Sequence, residues 1–137
     1  MVIEEKKIEK TCCFYVSDFH LEMILVPYIE EKIEENISIL TERKLKGSLE
    51  ILISRMNLKE ENKLKILQLG WDGDKEIKDN SNVIIIGSNE YIKKKNKEIE
   101  NKNVISILDC YNFESNDVNN IVKKYKNTIN TLGQVIF

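Results

Sequence analysis

Four aspartates, Asp18, Asp72, Asp74 and Asp109, each stand just behind a short apolar run, and this spacing is where chemistry could begin. Carboxylates gathered beyond the ends of strands can hold Mg²⁺, a hard cation that prefers oxygen ligands and keeps several waters. On that reading Asp18, Asp72 and Asp74 are the metal ligands, and Asp18, Asp72 and Asp109 are catalytic candidates. His20, the sole histidine, suits a general base because its intrinsic pKa lies near neutrality. Cys110 is a nucleophile candidate if its surroundings lower the thiol pKa. Ser17, Trp71, Ser88, Asn89 and Tyr111 are the ligand-binding candidates, with Trp71 offering an aromatic face to a base. A plainer explanation covers the same residue types: Asp, Asn and Ser follow strands because they cap helices and form turns.

The elements that would position these residues alternate along the chain. Continuous apolar runs at Cys12–Val16, Ile37–Thr41, Leu64–Leu69, Val83–Ile86 and Val104–Leu108 predict five strands covered on both faces. Ser17 or Asp18 caps a first helix with an almost all-round apolar surface, and Pro27 within it predicts a kink or a restart. A second helix is expected from about Glu42 to Asn57, and a third begins at Ser88 or Asn89. A last helix is expected from Ser115 or Asp117, with the stripe Val118, Ile121, Val122, Tyr125, Ile129 and Leu132, closed by Gly133. The link from Lys75 to Asn82 is short for a parallel crossover, which leaves the direction of the fourth strand open.

Strands alternating with helices predict one α/β domain over 1–137, a doubly wound, mostly parallel five-stranded sheet with helices on both faces. The flavodoxin-like order 2-1-3-4-5 is favoured over a simple Rossmann-like order. Residues 1–9 read as a charged leader and 133–137 as an apolar tail. In such sheets ligands bind beyond the carboxyl ends of the strands, where the candidates collect.

Asp18, Asp72 and Ser88 resemble the acids and hydroxyl of response-regulator receiver domains, but Asp109-Cys110 stands where that family needs a lysine. Asp72-Gly73-Asp74 resembles the Asp-x-Asp of Toprim domains, while Ser17-Asp18 replaces their glutamate after strand one. Cys110 lacks the following arginine of low-molecular-weight tyrosine phosphatases. These are likenesses of isolated residues, at the level of fold.

Composition narrows the function classes. The 137 residues are 42% hydrophobic and 32% charged, ordinary for one globular domain. A net charge of −2 and only two arginines, Arg43 and Arg55, do not support nucleic-acid binding. The longest apolar stretch, Met23 to Ile29, is too short to span a bilayer, and no signal-peptide core opens the chain. Three cysteines without framework or zinc spacing fit reduced thiols and a cytoplasmic location. No Walker A or Gly-x-Gly-x-x-Gly motif is present, and Lys93–Lys95 and Lys123–Lys124 read as solvated helix faces. The expectation is therefore a small cytoplasmic, non-catalytic regulatory or protein-interaction domain, without a cofactor, that pairs with itself or a protein partner. The alternatives are a Mg²⁺-dependent phosphoryl-transfer or hydrolytic enzyme, and a nucleotide-sensing domain.

Overall fold

The computed structural model describes residues 8–71, 73, 76–114 and 118–130, together with the backbone of 133–136. Strand β1 (Glu9–Tyr15) leads into helix α1 (Asp18–Glu31) and strand β2 (Asn36–Thr41). Helices α2 (Lys46–Arg55) and α3 (Glu60–Leu67) follow, then β3 (Ser81–Gly87), α4 (Asn89–Glu98) and β4 (Val104–Asn112). The short helix α5 (Val118–Val122) precedes a hairpin of β5 (Asn127–Asn130) and β6 (Gly133–Ile136). The fold is α/β: five parallel strands carry helices on both faces, and β6 adds an antiparallel edge. Adjacency along the sheet is β2-β3-β4-β1-β5-β6. The first strand is interior, as expected, but its neighbours are β4 and β5 rather than the second and third strands of the flavodoxin-like order. Among the described residues, no helix is long and apolar enough to cross a membrane.

Side chains along each strand alternate between two cores, because successive residues point to opposite faces of a sheet. On the first face Cys13, Tyr15, Ile84, Ile86 and Cys110 meet α1, α2 and α3. On the second face Cys12, Val83, Ile85, Ile107 and Tyr111 meet Ile92 and Ile99 of the α4 region, with Ile121 and Tyr125. Burial on both faces explains why the strands read as continuous apolar runs.

Several expectations are corrected. The segment Leu64–Leu69 is not a strand: α3 covers Glu60–Leu67, with Ile66 buried and Leu64 58% exposed. Short apolar runs do not distinguish the two states by periodicity, and here Glu60 and Glu61 favour a helix start by complementing its dipole. This change also settles the direction of β3, which runs parallel to both β2 and β4. The α2–α3 pair returns the chain to the carboxyl end of β2, where Leu45 N donates to Trp71 O at 3.2 Å. Ahead of β3, Ile77 packs into the second core and Lys78 N donates to Ser38 Oγ at 3.0 Å.

The last helix is also shorter than its apolar stripe implies. It stops at Val122, and Asn127–Asn130 joins β1 instead, with Thr11 opposite Asn127 and Cys13 opposite Ile129. Ile129 is buried in the first core, whereas Ile121 and Tyr125 are buried in the second. One helical stripe cannot serve both faces of a sheet. Gly133 pairs with Asn130 at the hairpin rather than closing a helix, and the side chains of 133–137 lie outside the described residues. At the other end, residues 1–7 of the expected leader lie outside the described residues, and Glu9 already belongs to β1. Finally, α1 runs through Pro27 as one element. Pro27 is exposed, so water can reach the Met23 carbonyl that the proline cannot satisfy.

Candidate functional site

The carboxyl edge of the sheet is occupied by contacts within the chain. Ser17 caps α1, its Oγ accepting from His20 N at 3.1 Å. His20 Nδ1 accepts from Val16 N at 3.0 Å, which places the proton of the neutral ring on Nε2. Asp18 accepts from Arg43 Nε at 2.5 Å, and this hydrogen bond raises the Arg43 pKa further above its ordinary value. Arg43 also lies over the Tyr15 ring, 6.0 Å from its centroid. The Glu42 carboxylate accepts from Ser88 N at 2.6 Å, and Ser88 Oγ caps α4 by accepting from Tyr91 N. A Cβ at Gly87 would collide with the Glu42 carboxylate and the Tyr91 ring, so this close approach requires glycine.

The remaining edge candidates are dispersed. Trp71 is 1% exposed, and its Nε1 donates to Ile66 O at 2.7 Å, so its ring is committed to the first core. Asp72 and Asp74 lie outside the described residues. Among the described residues, no group of three His, Cys, Asp or Glu side chains could hold a metal ion. Cys110 is buried in the first core, and burial pushes its thiol well above the ordinary range. Burial likewise pushes Cys12 up to about 11. A protonated, enclosed thiol is a poor nucleophile.

Asp109 and Tyr111 are not beyond the end of their strand, because β4 continues to Asn112. Both side chains turn to the second face, opposite Cys110. Asp109 is fully buried there: Tyr125 Oη donates to Oδ2 at 2.5 Å and Asn96 Nδ2 donates to Oδ1 at 3.0 Å. With the Tyr125 proton used on Asp109, Tyr111 Oη donates to Tyr125 Oη at 2.6 Å. Lys10 Nζ stands 4.0 Å from Oδ2 and 5.7 Å from the Tyr125 ring centroid. Burial raises the Asp109 pKa, while the Tyr125 and Asn96 hydrogen bonds and the Lys10 charge pull it down. Burial also raises both tyrosines, which therefore remain neutral hydroxyls at physiological pH.

This network forms one wall and the floor of a cleft of about 240 Å³ between α4 and the end of the α5 segment. Lys10, Lys93, Lys97 and Lys124 line it beside Tyr111 and Tyr125, and among the described residues Glu100 is its one carboxylate. Asn89 also borders this cleft, which gives it and Tyr111 a common surroundings that the edge does not.

Sequence reasoning found Asp109, Asn89 and Tyr111 but missed Lys10, Asn96 and Tyr125 as their partners. Two signals were present. An aspartate interrupts the apolar run Val-Ile-Ser-Ile-Leu-Asp-Cys-Tyr, and Asn96 sits on the stripe of Ile92 and Ile99. Buried polar groups require partners, so each of these anomalies implied the other. No family model, curated protein or solved structure matches this chain.

Proposed function

We propose that the protein is a small non-catalytic regulatory or interaction domain of the cytoplasm, which associates with a second copy or a protein partner through the carboxyl edge of its sheet. The observation that carries this reading is how that edge is used. Its polar candidates Ser17, Asp18, His20 and Ser88 are bonded to other groups of the chain, while Val16, Phe19 and Phe113 beside them are 57%, 62% and 51% exposed. Phe113 is brought to this edge by its backbone N–H, which donates to Tyr15 O at 2.8 Å. Exposed aromatic side chains are favoured at interfaces, and the Asp18–Arg43 pair supplies a polar rim.

Size-exclusion chromatography with light scattering tests the proposal. The expected result is a dimer, or a complex that co-purifies, and its loss in Phe19→Ser/Phe113→Ser. A strictly monomeric wild type with no co-purifying protein would sink the reading. Mg²⁺ at millimolar concentration is expected to leave the melting temperature unchanged, whereas a metal-dependent enzyme would be stabilised by binding its ion.

A further inference from the structure

The cleft on the second face is independent of the carboxyl edge, and its chemistry is different. Among the described residues, four lysines line it against one glutamate, in a chain whose total charge is −2. Its positive character is therefore local. Among the described residues, Lys93, Lys97 and Lys124 have no carboxylate within salt-bridge distance, whereas Lys63, Lys65 and Lys95 are each paired. Lys93 and Lys97 are one turn apart on α4 and share the cleft side of that helix with Asn96, while Glu100 follows the end of the helix. Lys10 approaches from β1 and Lys124 from the turn beyond α5, so the ammonium groups come from three separate parts of the chain.

The floor of the cleft is held rigid. Asn96 Nδ2 is bonded to both Ile92 O and Asp109 Oδ1, and Tyr125 is fixed between Tyr111 and Asp109. A buried network that satisfies its own members pre-organises the wall against which a ligand would rest. Drug-sized ligands occupy pockets of roughly 300–1,000 Å³. At about 240 Å³ this cleft suits something smaller. Lysine binds oxyanions as a flexible point charge and needs no planar, bidentate partner.

We propose that this cleft binds a small multivalent oxyanion, held by Lys10, Lys93, Lys97 and Lys124 above the Tyr111–Tyr125–Asp109 floor. The proposal goes beyond association at the carboxyl edge and does not depend on it. Phosphoryl and carboxylate groups share the required chemistry, so two probes separate them.

Isothermal titration calorimetry with inorganic pyrophosphate and with citrate, at matched ionic strength, tests the site. Saturable one-to-one binding of at least one probe is expected. Lys93→Gln/Lys97→Gln should weaken it by about tenfold or more, equivalent to about 1.4 kcal/mol. Lys94→Gln, on an exposed residue outside the cleft, should leave it unchanged. Both lysines of the double variant are exposed, and their substitution should not alter the thermal unfolding of the free protein. Absence of saturable binding for both probes would overturn the proposal, as would equal weakening by Lys94→Gln. Affinity for oligothymidylate that exceeds both probes and grows with strand length would also overturn it, because that pattern belongs to a surface for polymer backbone.

Discussion

Glu22 and Asp109 are both fully buried carboxyl groups, one on each face of the sheet, and their surroundings differ. Glu22 lies in α1 against α2, where the Ser48 hydroxyl donates to Oε1 and Oε2 has no partner among the described residues. Asp109 lies in β4, where both oxygens are bonded and Lys10 stands nearby. Burial raises the pKa of each. The first face is closed by three helices whose apolar side chains leave little room for polar partners. The second is covered by α4 and the short α5, and polar side chains meet there beneath an open cleft. The contrast separates a carboxyl enclosed by packing from one organised by a network.

The largest effect should come from the enclosed face. Leu25→Ala, at a fully buried position of α1, should cost about 3 kcal/mol, through lost transfer energy and a residual cavity. Urea unfolding would measure it. A cost below about 1 kcal/mol would mean that this core is looser than the contacts indicate.

Asp109→Ala should be next, destabilising by about 2 kcal/mol because Tyr125 and Asn96 lose their acceptor while remaining enclosed. Adding Tyr125→Phe should then cost less than the same change costs in the wild type, since Asp109 is no longer there to accept the Tyr125 proton. Strict additivity of the two substitutions would argue against a coupled network.

Glu22→Gln should have a smaller effect of the opposite sign. A carboxyl whose folded pKa is raised holds its proton more tightly in the native state. Its stabilising contribution is complete below the unfolded value, about 4, and is lost as pH rises through the folded value. The variant should thus match wild type at acidic pH and melt higher at pH 7, by on the order of 1 kcal/mol or about 4 °C. Thermal scans across that pH range would show it, and a variant that melts lower at pH 7 would contradict enclosure of the charge.

Phe19→Ser should have the smallest effect on folding, within about 0.5 kcal/mol, because the side chain is largely exposed. Its influence should appear in association instead. A large stability loss would show that Phe19 packs within its own chain.

The α/β class was legible because Val83–Ile86 and Val104–Leu108 can be buried on both sides only within a covered sheet. The caps Ser17 and Ser88 were legible as well, since capping is a local interaction spanning three residues. Leu64–Leu69 was not, because six residues with mixed spacing fit a strand or a helix, and packing against α1 and α2 decided the matter. The stripe from Val118 to Leu132 failed for a related reason. Its periodicity was real, but Ile129 packs on the opposite face of the sheet from Ile121.

The sequence by itself determined the local quantities: apolar runs, helix starts, the scarcity of arginine and an aspartate placed inside a buried strand. Tertiary structure alone decided which of these meet. Lys10, Asn96, Asp109 and Tyr125 come from distant parts of the chain, and only the adjacency of β1 and β4 beneath α4 brings them together. Strand adjacency arises from the joint burial of both faces, a property of the whole sheet that no single segment encodes.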